Sequence, residues 1–203
     1  MAAFVPAGCI TQKHPLFASA VALGAFLVFL IQPLAARSLL PAFGGSASVW
    51  VMALIFYQVV LAAGYLLAYF LSTRFSFGGQ TRALLALSIG ALLTLSVLPE
   101  PIHPNRGLPA YQLLFSLAIS VGPPFLVLAV ACPLIQGWAS AQDRCPRTGR
   151  DIYYLCAVSS GASLLALLSY PLLMEPLFDI RLQARIWDGL FLFELLLIIA
   201  ISR

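Results

Sequence analysis

Apolar residues run through this chain in long unbroken blocks. "ASAVALGAFLVFLI" (18–31) and "LLALSIGALLTLSVL" (84–98) are examples. No Asp, Glu, Lys or Arg occurs in 14–36, 38–73, 83–99, 107–142 or 152–174. A bilayer core of about 30 Å is crossed by roughly 20 apolar helical residues. A helix also satisfies its own backbone groups in lipid. An outer-membrane barrel would show segments of about ten residues with alternating polarity instead. The blocks therefore predict helices, at 15–38, 49–72, 82–98, 110–138, 152–173 and 186–202. The uncharged gap 38–73 is too long for one span, and "PAFGGSAS" at 41–48 divides it, because Pro and paired Gly end helices. The expected fold is all-α, a polytopic integral membrane bundle of six transmembrane helices. Residues 1–14 form a cytoplasmic N-terminal segment and 15–203 a single transmembrane domain. The longest polar stretch is 139–151, so no large soluble domain is expected.

Composition sharpens this picture. The chain is 62% hydrophobic and 9% charged, against about half and about a quarter in soluble domains. That excludes a soluble enzyme, a nucleic-acid binder and a disordered chain. The four cysteines, Cys9, Cys132, Cys145 and Cys156, form no C-x-x-C pair and no disulfide framework. They read as small, reduced, apolar residues.

Charge adds orientation. With the N-terminus inside, the inner loops carry seven basic residues: Lys13, Arg74, Arg82, Arg144, Arg147, Arg150 and Arg203. The outer loops carry four, Arg37, Arg106, Arg181 and Arg185. This bias puts both termini in the cytoplasm. The net charge of +4 thus follows from topology, since no basic run makes a polyanion-binding patch. The first apolar run exceeds a signal-peptide core and is interrupted by Gln32-Pro33, so it reads as a retained span.

Candidate chemistry is sparse. His14 and His103 fall near opposite membrane faces, which disfavours a shared haem. There is no P-loop, G-x-G-x-x-G or G-x-S-x-G, and no metal site or cofactor is expected. Glu194 lies nine residues into the last predicted helix, about 12 Å deep at 1.5 Å per residue. A buried carboxylate in lipid marks a functional site by default. It reads as a protonatable relay or cation-binding group, or as a neutral carboxyl hydrogen-bonded to a neighbouring helix or partner chain. Arg37 closes the first span; it snorkels to headgroups, pairs with an outer carboxylate or binds an anionic solute. Asp188, placed in the first turn of the last span, suits the positive end of the helix dipole. Gln32, Gln58 and Gln136 stand inside spans, as interhelical glue or solute ligands. Gln32 precedes Pro33 and Gln136 follows Pro133, and proline-broken helices mark solute sites in transporters. "GPPF" at 122–125 predicts a stronger kink. In "AVSSGASLLA", the pairs Ala157/Gly161, Ser159/Ser163 and Ala162/Ala166 have the small-xxx-small spacing of close helix packing.

Several strings together resemble one family. "LIQPLAARSLLPAFGGSASVW" runs into "VMALIFYQVVLAAGYLLAY", followed later by "GPPFLVLAVACPLIQGWAS" and "YYLCAVSSGASLLALLSYPLLMEPLF". Over most of 20–190 the chain resembles the membrane region of bacterial fused proteins that join a major-facilitator-like half to a spermidine-synthase-like domain. The resemblance implies a half-major-facilitator-like bundle in the bacterial inner membrane. It departs at Ser159-Ser160-Gly161, where the family tends to carry Asn, and no synthase-like domain is expected after Arg203. Aminopropyl transfer is therefore not expected of this chain.

Two roles remain. One is a non-catalytic membrane subunit or anchor, packed in lipid against other membrane subunits, a second copy or a synthase-like partner. The other is a half-transporter for a small, polyamine-like cation, working as a dimer. An intramembrane enzyme lacks a nucleophile–base pair, and no nucleic-acid partner is expected.

Overall fold

The structure is a computed structural model and describes residues 14–95, 109–142 and 150–202. The readings that rest on Cys9, Lys13, His103, Arg106, Cys145, Arg144, Arg147 and Arg203 lie outside those residues. Among the described residues the chain is all-α, without a strand. Its helices are α1 (His14–Phe43), α2 (Ala47–Arg74), α3 (Phe77–Leu93), α4 (Pro109–Ser120), α5 (Gly122–Gln142), α6 (Arg150–Ser169), the short α7 (Glu175–Leu177) and α8 (Ile180–Ser202). A single π-helical turn, Tyr170–Met174, joins α6 to α7.

The break between the first two helices falls where the glycines stand. Gly44 takes φ +76°, and its N–H donates to the Leu40 carbonyl at 2.8 Å. A left-handed residue just past a helix satisfies an orphan carbonyl, and glycine adopts that conformation without a Cβ clash. Because the stop is Gly44 and not Pro41, α1 runs five residues past the expected end at 38.

Three other boundaries move for local reasons. Helix α3 begins at Phe77 because the Ser76 carbonyl accepts the Gly79 and Gln80 N–H groups at 2.8 and 3.0 Å. The expected span 110–138 is two helices that meet at Val121. Pro123 and Pro124 lack N–H groups, so the carbonyls of Ile119 and Ser120 lose their helical donors. The Val121 N–H to Leu117 (2.9 Å) and the Phe125 N–H to Val121 (3.0 Å) carry hydrogen bonding across the break. Helix α8 starts at Ile180, where the Asp179 carbonyl accepts the Leu182 and Gln183 N–H groups, each at 3.0 Å. Asp188 therefore sits in the third turn of α8, and the expected first-turn role at the helix dipole is corrected: the first turn holds no acidic residue.

Four helical stretches are long and apolar enough to cross a membrane: Pro15–Phe43, Ala47–Arg74, Gly122–Ala141 and Tyr153–Leu177. Helices α3 and α4 are shorter. Helix α8 has the length but carries Arg181, Arg185, Asp188 and Glu194.

Helices α1 and α5 form the centre. Helix α1 packs against α5, α6 and α8, while α5 also meets α2 and α3. Leu27, Ile31 and Leu34 of α1 and Phe125, Leu128 and Ile135 of α5 belong to one continuous buried cluster. Helices α2 and α5 cross so closely that a Cβ on Gly64 would stand 2.5 Å from the Ala129 Cβ. Only a residue without a side chain permits that approach. Helices α2 and α6 lie outermost: their apolar stretches are 22% and 17% buried.

Candidate functional site

Helix α8 turns one stripe inward, formed by Trp187, Phe191, Glu194, Leu195 and Ile198. The spacing of three and four residues keeps these side chains on one face. Trp187 fixes the stripe to α1. Its indole N–H donates to the Leu27 carbonyl at 3.1 Å, and its ring stacks on Phe191 with centroids 5.3 Å apart and planes 10° from parallel.

One turn beyond Phe191, Glu194 enters the interior with 0% exposure. Gly24 of α1 makes the space for it: a Cβ at Gly24 would lie 3.3 Å from Glu194 Oε1. Among the described residues neither carboxyl oxygen has a hydrogen-bond partner. A buried polar group left unsatisfied costs about 1–3 kcal/mol, and a charge at such a depth costs more unless it is paired. Among the described residues the hydrogen bond to a neighbouring helix that the sequence allows for Glu194 is not formed.

A small polar group stands nearby on α5 and α6. Cys132 lies within electrostatic reach of Glu194 and of Tyr65 on α2. The Cys132 thiol contacts the Ser159 hydroxyl at 4.0 Å, and the Gln136 amide donates to Cys132 Sγ at 3.6 Å. A thiol, a hydroxyl and an amide thus meet between α5 and α6, within electrostatic reach of the Glu194 carboxyl. This set can hold and release a proton. It offers no histidine to activate the thiol, and among the described residues no three His, Cys, Asp or Glu converge on a metal position.

The other sequence-predicted residues distribute as follows. Gln136 belongs to this site. The Gln32 amide donates to Val28 of its own helix at 3.3 Å, so neither glutamine bonds across helices. Gln58 is exposed on α2. Arg37 pairs with the carboxylate of Glu175 at 3.7 Å, with the two side chains 37% and 49% exposed. At that exposure the pair contributes about 0–1 kcal/mol. Within the small-residue stretch the faces divide. Ala166 is buried and Ser159, Ala162 and Ser163 are half-buried on the packed side of α6. Ala157 and Gly161 face outward, and nothing lies within 4 Å of a Cβ built on Gly161.

Sequence reading did not single out Gly24, Trp187 or the proximity of Cys132 to Glu194. The bridging glutamines are also others than expected. Gln80 accepts the Trp138 indole N–H at 2.7 Å. Gln183 donates to the carbonyls of Met174 and Phe178 at 2.9 and 2.8 Å, at the two ends of α7.

No protein-family model, curated protein or solved structure matches the chain.

Proposed function

We propose that this chain is a non-catalytic, six-span membrane component of a bacterial inner membrane, with both termini cytoplasmic, that packs against another membrane subunit or a second copy of itself. The carrying observation is the outer surface of α6 and the π turn that follows it. Leu164, Leu165, Leu168 and Leu172 are 58%, 63%, 50% and 69% exposed, beside the outward-facing Ala157 and Gly161. A contiguous apolar surface of this kind belongs in lipid or against another protein, and small residues within it permit close helix approach. In this reading α4 and α5 together form one span and α8 the last, with Arg181 and Arg185 at the outer interface. The likeness of its motifs to the membrane half of the synthase-fused proteins supports the same role. Alkaline carbonate extraction and reporter fusions at residue 203 and near Arg106 test the spans and their orientation; a periplasm-active reporter at 203 overturns them. Gly161→Leu tests the packing face: loss of self-association or partner association at unchanged thermal stability supports it, and unchanged association overturns it.

A second reading is favoured by Glu194, the unpartnered carboxyl inside the bundle. In it the chain is a half-transporter for a small, polyamine-like cation and works as a dimer. Glu194→Gln separates the two. It abolishes cation- or proton-coupled uptake with assembly intact under the transporter reading, and it is tolerated under the subunit reading.

A further inference from the structure

A cleft of about 380 Å³ lies between α1, α2 and the junction of α6 with the π turn. That volume is at the low end of the range of about 300–1,000 Å³ typical of small-molecule sites. Its accessible lining is almost wholly apolar, and no charged residue contributes to it. Trp50 and Leu54 of α2 and Leu167 of α6 stand at the mouth and are half-exposed. Tyr57 and Tyr170 also border the cleft, but their hydroxyls are sealed inside the protein and offer it nothing polar. The polar group that remains is the Gln32 side chain of α1. Its Nε2 donates one hydrogen to the Val28 carbonyl at 3.3 Å. Its Oε1 has no hydrogen-bond partner among the described residues, and unlike the two hydroxyls it is not sealed off.

Gln32 thus presents a free acceptor and a second N–H donor to an otherwise apolar space. A hydroxyl matches both at one atom, because it donates and accepts, whereas an ammonium group only donates and an ionised carboxylate only accepts. A charged head also meets no counter-charge along this lining. On the membrane-spanning reading Gln32 stands five residues before Arg37, about 8 Å deeper at 1.5 Å per residue, where an unpaired charge is costly. A plain hydrocarbon chain would fill the space and leave the amide unpaired. We propose that this cleft binds a neutral single-chain amphiphile, with its hydroxyl head bonded to Gln32 and its apolar chain passing between Leu54 and Leu167. This rests on the membrane-spanning reading of α1, α2 and α6, which makes the mouth a lateral opening to lipid. The two helix irregularities beside the cleft, Pro33 in α1 and Pro171 in the π turn, border it directly, and π-helical turns recur at functional sites.

The test uses the full chain in phosphatidylcholine nanodiscs, with binding read by native mass spectrometry at matched mole fraction of probe in the bilayer. Dodecanol, dodecyl methyl ether and dodecyl phosphate share one chain and differ in the head: donor and acceptor, acceptor alone, and anion. Dodecanol is expected to bind about fivefold more tightly than the ether, the scale of one net hydrogen bond, and more tightly than dodecyl phosphate. Gln32→Leu abolishes the difference between dodecanol and the ether. Leu54→Trp narrows the mouth at a half-exposed position and weakens both by at least about fivefold, the scale of overpacking, at unchanged melting temperature. Equal binding of dodecanol and the ether by the parent chain, tighter binding of dodecyl phosphate, or an undiminished preference for dodecanol in Gln32→Leu overturns the proposal. So does a Leu54→Trp chain that changes oligomeric state while binding dodecanol as before, which marks the mouth as a contact between copies. Carbonate extraction of the same cells reports separately on the spans: a chain that stays in the membrane but binds no dodecanol refutes the cleft alone, and a chain released by carbonate refutes the membrane reading.

Discussion

Helices α1 and α2 follow one another in the chain, have nearly the same length and are equally hydrophobic, yet half of the apolar stretch of α1 is buried against 22% of that of α2. The difference comes from their neighbours. Helix α1 is met by α5, α6 and α8, whereas α2 leans mainly on α5. In a soluble protein the outer helix would show a polar face. Here Val59, Leu66 and Phe70 of α2 are 62%, 70% and 51% exposed. Hydrophobicity therefore states that both helices avoid water, while the helices packed against each decide which one becomes core.

That contrast can be tested by pairs of substitutions on the two kinds of surface, measured as thermal unfolding in detergent. The largest effect is expected at Trp187, which ties α8 to the inner helix. Trp187→Ala should cost about 3–5 kcal/mol, whereas Phe70→Ala on the outer face should stay within about 0.5 kcal/mol. Equal losses at both positions would dissolve the distinction between inner and outer helices.

Next come two glycines with opposite expected signs. Gly64→Ala puts a methyl into Ala129, and overpacking of this kind costs about 1–3 kcal/mol. Gly161→Ala meets open space and should stabilise the chain by about 0.5–1 kcal/mol, because alanine is the better helix former.

A smaller effect is expected at Glu194. Removal of an unsatisfied buried carboxyl is near neutral or favourable, so Glu194→Leu should unfold no earlier than the parent chain. A loss of more than about 1 kcal/mol would reveal a hydrogen bond or ion that holds the carboxyl. The smallest effect belongs to the rim: Glu175→Gln should cost at most about 1 kcal/mol, because the Arg37 pair is half-exposed.

Much of the helix inventory was legible in the sequence. The uncharged gaps located the helices, "GGS" located the first turn, and "GPPF" marked a kink inside one expected span where the structure has two helices meeting at Val121. Glu194 was legible as a buried carboxyl because charge is rare in such stretches. The neighbours of Glu194 were not legible, for a physical reason. A helix that is apolar all round carries no polar face to indicate which side turns inward. Nothing in the sequence of α5 therefore distinguishes Cys132 as facing the interior from Cys132 as facing lipid. The same holds for α6, where Ser159 and Gly161, two residues apart, end on different sides. Gly64 and Ala129 meet through backbone proximity between distant segments, which has no local signature. Asp188 was misread because the start of α8 is set by Asp179 and by the carbonyls that Gln183 caps, six residues before the apolar run begins.

The π turn at Tyr170–Met174 also has a geometric consequence for the chain after it. A π turn amounts to one residue inserted into an α-helix, and each α-helical residue advances about 100° around the axis. Everything beyond the turn is thus out of phase with α6 by about that angle. Deletion of one residue from "YPLLM" would restore an uninterrupted phase and swing Glu175 about a quarter-circle around the axis, away from Arg37. The ion pair at the rim is in this sense a record of a single-residue insertion, and the length of that five-residue segment sets the azimuth at which Glu175 faces α1.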